Sequence, residues 1–222
     1  MSDDEEVRRA CADTAAAVLA GGKSRRMGRP KPFLTLGGRP LIGRVIDALR
    51  EVFSEIFIVT PEDAPFLDLG LPVVADSRPG SGALGGVYTA LKAAGLPRVL
   101  VVACDMPFLN PDLLAHMAFR AGGHGAAVPR AADGLHPLHA VYAKRSHEAL
   151  ATALDRGAMK LMDVLPVIDS VEVGEAELRR FDPDLHSLFN VNRPQDLERA
   201  RAVLSARRPE GRAAQAGGGR DG

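Results

Sequence analysis

Two stretches of this chain, Ala15 to Ala20 and Val99 to Cys104, are apolar at every position. A strand with one face in water alternates apolar and polar residues. An unbroken run therefore points to a strand covered on both faces, as central strands of a parallel sheet are. Neither run approaches the about 20 residues that a membrane-crossing helix requires. The spacing predicts strands over Ala15–Leu19, Ile56–Thr60, Val73–Ala75, Arg98–Ala103, Ala126–Pro129, Leu138–Tyr142, Val167–Val173 and Ser187–Val191. Between them fall segments of helical period: Leu41–Val52, Leu84–Ala94, Pro111–Phe119, Ser146–Leu154 and Pro194–Leu204. In the first of these, Leu41, Val45, Ile46, Leu49 and Val52 recur at three-to-four spacing, the stripe of an amphipathic helix. Strands alternating with helices in this way predict an α/β fold with a mainly parallel central sheet.

Composition narrows the function classes. Of 222 residues 46% are hydrophobic and 25% charged, the proportions of a folded domain and not of a disordered or fibrous chain. Lys plus Arg equals Asp plus Glu at 28 each, so no global excess draws nucleic acid or an anionic membrane. Cys11 and Cys104 are too few for a disulfide framework and suit a reducing compartment. The opening Met-Ser-Asp-Asp-Glu-Glu lacks the basic start and apolar centre of a secretory signal. A soluble, cytoplasmic protein is expected, with one domain over 13–205. Residues 1–12 and 206–222, charged or glycine-rich and without apolar period, are expected to be mobile tails.

In open α/β sheets ligands bind beyond the carboxyl ends of the strands. After the first strand the chain reads Leu19-Ala20-Gly21-Gly22-Lys23-Ser24-Arg25-Arg26-Met27-Gly28-Arg29-Pro30-Lys31. That is three glycines and five cations with no acid, in a chain of zero net charge. Gly21 and Gly22 let backbone N–H groups line a sharp turn, and the cations around them offset several negative charges, the chemistry of a polyphosphate cradle. A Walker A loop is excluded, because the pattern ending in Gly22-Lys23-Ser24 requires glycine where Ala17 stands. A dinucleotide glycine fingerprint does match at Gly80-Ser81-Gly82-Ala83-Leu84-Gly85, but Asp76-Ser77-Arg78-Pro79 separates it from its strand.

Asp105 follows the apolar run Val99–Cys104 and should emerge where the central strand ends. A carboxylate facing a polyphosphate loop is placed to hold Mg²⁺, a hard cation that takes oxygen ligands; a plain alternative is an Asp that bonds nearby backbone N–H groups. Its neighbour Cys104 reads as a small buried residue. Asn190 and Asn192 lie two apart, so on a strand they would point to the same side, and Asn192 could also cap the helix that begins at Pro194. Asp76 ends a strand and could meet a ribose hydroxyl or a base edge, or simply shape its turn. His136 and His139 have no third ligand nearby that would make a zinc site, and are expected on a substrate-facing loop.

Taken in order, these segments resemble the molybdenum cofactor guanylyltransferases, within the wider nucleotidyltransferases of three-layer Rossmann-like fold. The resemblance runs from Ala16 to about Leu204. It rests on Leu19-Ala20-Gly21-Gly22 with Arg26, Met27, Gly28 and Lys31, on the glycines near Gly82, on Cys104-Asp105-Met106-Pro107, and on Asn190-Val191-Asn192 before Pro194. It implies GMP transfer from GTP to molybdopterin. Leu19, Ala20, Gly21 and Gly22 would hold the nucleotide, with Arg26 and Lys31 on its phosphates. Asp76 would touch the nucleotide, Asp105 would bind Mg²⁺, and Asn190 and Asn192 would lie on the pterin or metal side. GTP and molybdopterin would be the partners, with transient contact to molybdopterin-synthesis proteins and molybdoenzymes. Two departures stand out: Pro30 replaces the usual acid before the motif lysine, and Ala83 replaces a usual proline. A Pro-Lys pair is common in cytidylyltransferases. Cytidylyl or sugar-phosphate transfer on the same fold therefore stands beside the guanylyl reading, as does a non-catalytic protein that delivers cofactor.

Overall fold

The computed structural model describes residues 2–21, 31–61 and 66–207. Helix α1 (Asp3–Ala12) leads into β1 (Thr14–Leu19); a small hairpin, β2 (Thr35–Leu36) and β3 (Arg39–Pro40), precedes α2 (Leu41–Arg50). Then come β4 (Ile56–Thr60), β5 (Val73–Ala75), α3 (Gly82–Ala93), β6 (Arg98–Ala103) and α4 (Pro111–Arg120). The remainder comprises β7 (Ala126–Ala131), β8 (Gly134–Leu135), β9 (His139–Ala143), α5 (His147–Asp155), β10 (Ser170–Gly174), α6 (Glu175–Leu178) and α7 (Pro194–Ala206). The main sheet runs in the order β10-β7-β9-β6-β1-β4-β5, with β8 paired to β7. β1 pairs in parallel with β4 and β6, β4 with β5, and β10 with β7, while β9 and β8 run against their neighbours.

The two wholly apolar runs became β1 and β6, side by side at the centre, and each buries both faces. Ala16, Val18, Leu100 and Val102 face α2 and α4. Ala15, Ala17, Val99 and Val101 face α3 and α5. The result is three layers, helices on both sides of one sheet, as the alternating pattern requires. A smaller cluster of Leu36, Leu41, Phe108, Val191 and Ala200 seats α7 at one edge.

Two expectations are corrected. Residues 3–12 are not a tail but helix α1, packed against α4. Asp3, Asp4, Glu5 and Glu6 fill its first turn, where the helix dipole favours acids, and Ala10 is buried, its carbonyl accepting a hydrogen bond from Thr14 Oγ1 at 2.7 Å. The second concerns Ser187–Val191, which forms no strand. Leu185 takes a left-handed conformation (φ 54°) and the Asp182 carboxylate accepts from the Ser187 N–H at 2.6 Å, winding 186–188 into a short 3-10 turn. Smaller shifts occur at β10, which begins at Ser170, since Val167 ends a 3-10 turn and is 70% exposed.

Candidate active site at the strand ends

The parallel strands β1, β4, β5 and β6 all end on the same edge of the sheet, and backbone hydrogen bonds carry their order into the loops. Leu19 sits opposite Ala103 in the β1–β6 ladder, and the next rung is the Cys104 N–H donating to the Leu19 carbonyl at 3.2 Å. Ala20 and Gly21 therefore leave the sheet beside Cys104 and Asp105. On the other flank the Ala20 N–H donates to the Val59 carbonyl at 2.9 Å, and the buried Thr60 hydroxyl donates to the Ala20 carbonyl at 3.2 Å. One strand further, the Asp76 N–H donates to the Thr60 carbonyl at 2.8 Å. The Asn190–Asn192 stretch arrives from the far end of the chain: the Val191 N–H donates to the Asp105 carbonyl at 2.9 Å.

Leu19, Ala20, Gly21, Asp76, Asp105, Asn190 and Asn192 are thus gathered on one edge. Asp105 and Asp76 stand three strand positions apart, about 14 Å at the usual inter-strand spacing, with the ends of β1 and β4 between them. Leu19 and Ala20 are buried, and the Leu19 carbonyl and both backbone groups of Ala20 bond within the protein. Their side chains are packing groups, and Leu19 fills the space left by Gly86 of α3, where an added Cβ would lie 2.8 Å from Leu19 Cδ1. Gly22 and Arg26 lie outside the described residues, as does the side chain of Lys31, whose backbone opens a 3-10 turn (Lys31–Phe33).

Asp105 is 6% exposed, at the mouth of the central strand. Cys104 is buried beside it, the neighbour that the sequence suggested. Among the described residues no group of three or more His, Cys, Asp or Glu could cage a metal. A single carboxylate does not make a zinc site, but it fits Mg²⁺, which keeps waters and shares substrate phosphate oxygens.

The clasp around the last segment was not foreseen. The buried Ser187 hydroxyl donates to the Phe108 carbonyl at 3.2 Å and accepts from the Asn110 N–H at 2.9 Å. Asn110 caps α4, its Oδ1 accepting from the Leu113 N–H at 3.0 Å, and its Nδ2 donates to the Phe181 carbonyl at 2.9 Å. Asn110 followed by Pro111 is the start signal of the helix that the sequence predicts from Pro111. With no strand here, the period-two argument that points Asn190 and Asn192 the same way lapses. Asn190 Nδ2 donates to the Leu188 carbonyl at 3.1 Å. Nor does Asn192 cap α7: Arg193 is the capping position, and one oxygen of Asp196 accepts from the N–H groups of Asn192 (2.9 Å) and Arg193 (2.8 Å). A cavity of about 430 Å³ lies against Asn192, Arg193, Pro194 and Gln195.

Of the glycine fingerprint, Gly80 and Gly82 take positive φ (85° and 61°) in the turn before α3, and Gly85 serves packing. A Cβ on Gly85 would lie 2.8 Å from the Arg78 carbonyl oxygen, so the glycine lets α3 start tight against the loop after β5.

The two histidines do not form a substrate-facing pair. His136 Nε2 lies 2.9 Å from Asp133 Oδ1, and His139 is wholly buried at the start of β9, opposite Val102. Among the described residues neither ring nitrogen of His139 has a hydrogen-bond partner. Burial pushes its pKa down from 6.5 to about 4. Between those values the unfolded chain binds a proton that the native chain refuses, so stability drops as the pH is lowered. The loss expected from this group between pH 6.5 and 4 is about 3 kcal/mol. Denaturant unfolding across that range should show a steeper decline for the native chain than for His139→Leu; equal slopes would refute it.

Comparison with known proteins extends this picture. Residues 16–171 match the family described as MobA-like NTP transferase domain. A probable molybdenum cofactor guanylyltransferase of Pelotomaculum thermopropionicum is 41% identical over 186 residues, 84% of this chain and 91% of that protein. The crystal structure of molybdopterin-guanine dinucleotide biosynthesis protein A from Archaeoglobus fulgidus superposes with a TM-score of 0.76 at 31% identity, covering 86% of this chain and 99% of that one. That of 2-C-methyl-D-erythritol 4-phosphate cytidylyltransferase from Thermus thermophilus gives 0.63 at 25% identity, over 85% and 98%.

Proposed function

The chain belongs to the MobA-like NTP transferase family and is a nucleotidyltransferase, and we propose that it transfers GMP from GTP to the terminal phosphate of molybdopterin. The guanine dinucleotide form of the cofactor and pyrophosphate are the products. The observation that carries this reading is the convergence on Asp105. Its strand is bonded to the exit of β1 on one side, and its own carbonyl holds Val191 of the Asn190–Asn192 stretch on the other. On this reading donor nucleotide and acceptor phosphate take adjacent places at one carboxylate.

An oxygen of the pterin phosphate attacks the α-phosphorus of GTP as the bond to pyrophosphate breaks in line. Both reactants are anions, so the protein's task is to bring charges together and stabilise those that develop on the leaving group. Lys31 and Arg26 offset the charge of the departing pyrophosphate, and the N–H groups of Gly21 and Gly22 hold phosphate oxygens. Asp76 receives a donor from the ribose or the base. Asn190 and Asn192 serve the pterin or metal side, Asn192 lining the cavity at Pro194. Asp105 would hold Mg²⁺, which when bound neutralises phosphate charge. No helix among the described residues is long and apolar enough to cross a membrane. The reaction fits a cytoplasmic setting, with transient hand-over from molybdopterin-synthesis proteins and to molybdoenzymes.

The test is pyrophosphate release, nucleotide by nucleotide, with and without molybdopterin. Release that requires molybdopterin and favours GTP is expected. Pro30 before Lys31 and the likeness to a cytidylyltransferase favour a second reading, and preference for CTP would establish it in place of the first. Molybdopterin binding with no pyrophosphate from any nucleotide would overturn both.

A further inference from the structure

We propose that Thr89, on α3, is a positioning residue that aims the Asp76 carboxylate at the nucleotide; the inference rests on the reading of Asp76 as a nucleotide contact. α3 turns Leu84, Val87, Ala90 and Leu91 into the core, and Thr89 is as buried as they are, at 2% exposure. A hydroxyl in such a place is unfavourable unless its hydrogen bonds are met. Here they are met by the loop that carries Asp76. Thr89 Oγ1 lies 3.0 Å from Asp76 Oδ1, 3.1 Å from the Ser77 nitrogen and 3.0 Å from Ser77 Oγ.

Donor and acceptor roles follow from proton counting. An ionised carboxylate only accepts, so the single hydroxyl proton of Thr89 is committed to Asp76. Thr89 Oγ1 must then accept from both the Ser77 N–H and the Ser77 hydroxyl. The Arg78 N–H also donates to Asp76 Oδ1, at 2.9 Å. Two protein donors thus converge on Oδ1. Among the described residues none is given to Oδ2, which is left for donors from outside, such as a ribose hydroxyl or the N–H of a base. The backbone of Asp76 is fixed separately, by its N–H on the Thr60 carbonyl at 2.8 Å. Removing the Thr89 hydroxyl leaves Oδ1 with the Arg78 N–H alone and releases the Ser77 N–H, while the Asp76 N–H keeps its bond to the Thr60 carbonyl.

Thr89→Val keeps the shape and removes the hydroxyl. Steady-state pyrophosphate release by the full chain should show the nucleotide KM raised about tenfold with kcat within about twofold, since an Asp76 carboxylate that is no longer aimed holds the nucleotide less well in ground and transition state alike. Thr89→Ser should restore the native KM to within about twofold. In an Asp76→Ala background Thr89→Val should change nothing further, because a residue that acts through another has no effect once that other is gone. Equal fold-losses in both backgrounds would show a merely structural threonine and overturn the proposal. So would a fall in kcat at unchanged KM, or a native KM in Asp76→Ala alone. If the native chain turns over no GTP, the reaction reading has failed, and the same proteins are titrated calorimetrically with GTP and CTP. Thr89 is then judged on Kd by the same pattern, and binding of neither nucleotide overturns both.

Discussion

Replacing Asp105 by asparagine is expected to lower nucleotidyl transfer by about 10²–10³-fold while the protein still folds, the loss typical of removing one positioned charge or donor from a transition state. Asparagine keeps the size of the side chain, and the backbone tie from the Val191 N–H to the Asp105 carbonyl needs no side chain at all. What disappears is the negative charge at the mouth of the central strand, and with it the residue that would hold Mg²⁺ against the phosphates. Raising the Mg²⁺ concentration should recover part of the activity if the loss is one of metal affinity. Lys31→Ala should fall by the same order, through the leaving group. The check is single-turnover pyrophosphate release on variants whose denaturant midpoints match the native chain. Native turnover in folded Asp105→Asn would remove the metal assignment.

Gly125→Ala should lose about 3 kcal/mol of stability or more, at the upper end of what overpacking a core causes. The conformation is not the obstacle; the space is. A Cβ built on Gly125 would stand 1.5 Å from the Ile168 carbonyl oxygen and 3.0 Å from Ser146 Oγ. The backbone has no room to withdraw. The Gly125 N–H donates to the Asp169 carbonyl at 2.9 Å, and the Gly125 carbonyl accepts from the Ala143 N–H and the Ser146 hydroxyl, each at 2.9 Å. Three segments of chain are joined at this one residue, so a shift to admit the methyl group breaks bonds to all of them. Urea unfolding measures the loss, and a variant within about 1 kcal/mol of native would show that the junction yields more easily than its packing implies.

The sequence made some of this legible and hid the rest for identifiable reasons. β4, β5 and β6 take the ranges predicted for them, since each is built around an apolar run too short for a helix, with the chain turning polar at or just past its end. The site's location followed, since strand ends in such a sheet converge on one edge. Helix α1 was missed because its stripe is short: Val7, Ala10 and Cys11 at three-to-four spacing, inside a run of charges. Those charges read as a solvated tail, although four leading acids are also a helix-start signal. At Ser187–Val191 an apolar run suggested a strand, but the Asp182 side chain took the Ser187 N–H and a turn formed instead. Thr60, Thr89 and Ser187 were invisible for another reason. Each acts through a hydrogen bond to a residue distant in sequence, as Thr60 does to Ala20, and no local period records such a pairing.

The bond between Val191 and Asp105 has a consequence for how the protein comes into being. A ribosome delivers β1, β4, β5 and β6 well before it delivers Asn190 to Asn192. A nascent chain can thus pair the strands that surround Asp105 while the Asn190–Asn192 stretch has not been translated. That corner of the molecule is finished last, when the closing residues dock on a strand made long before them.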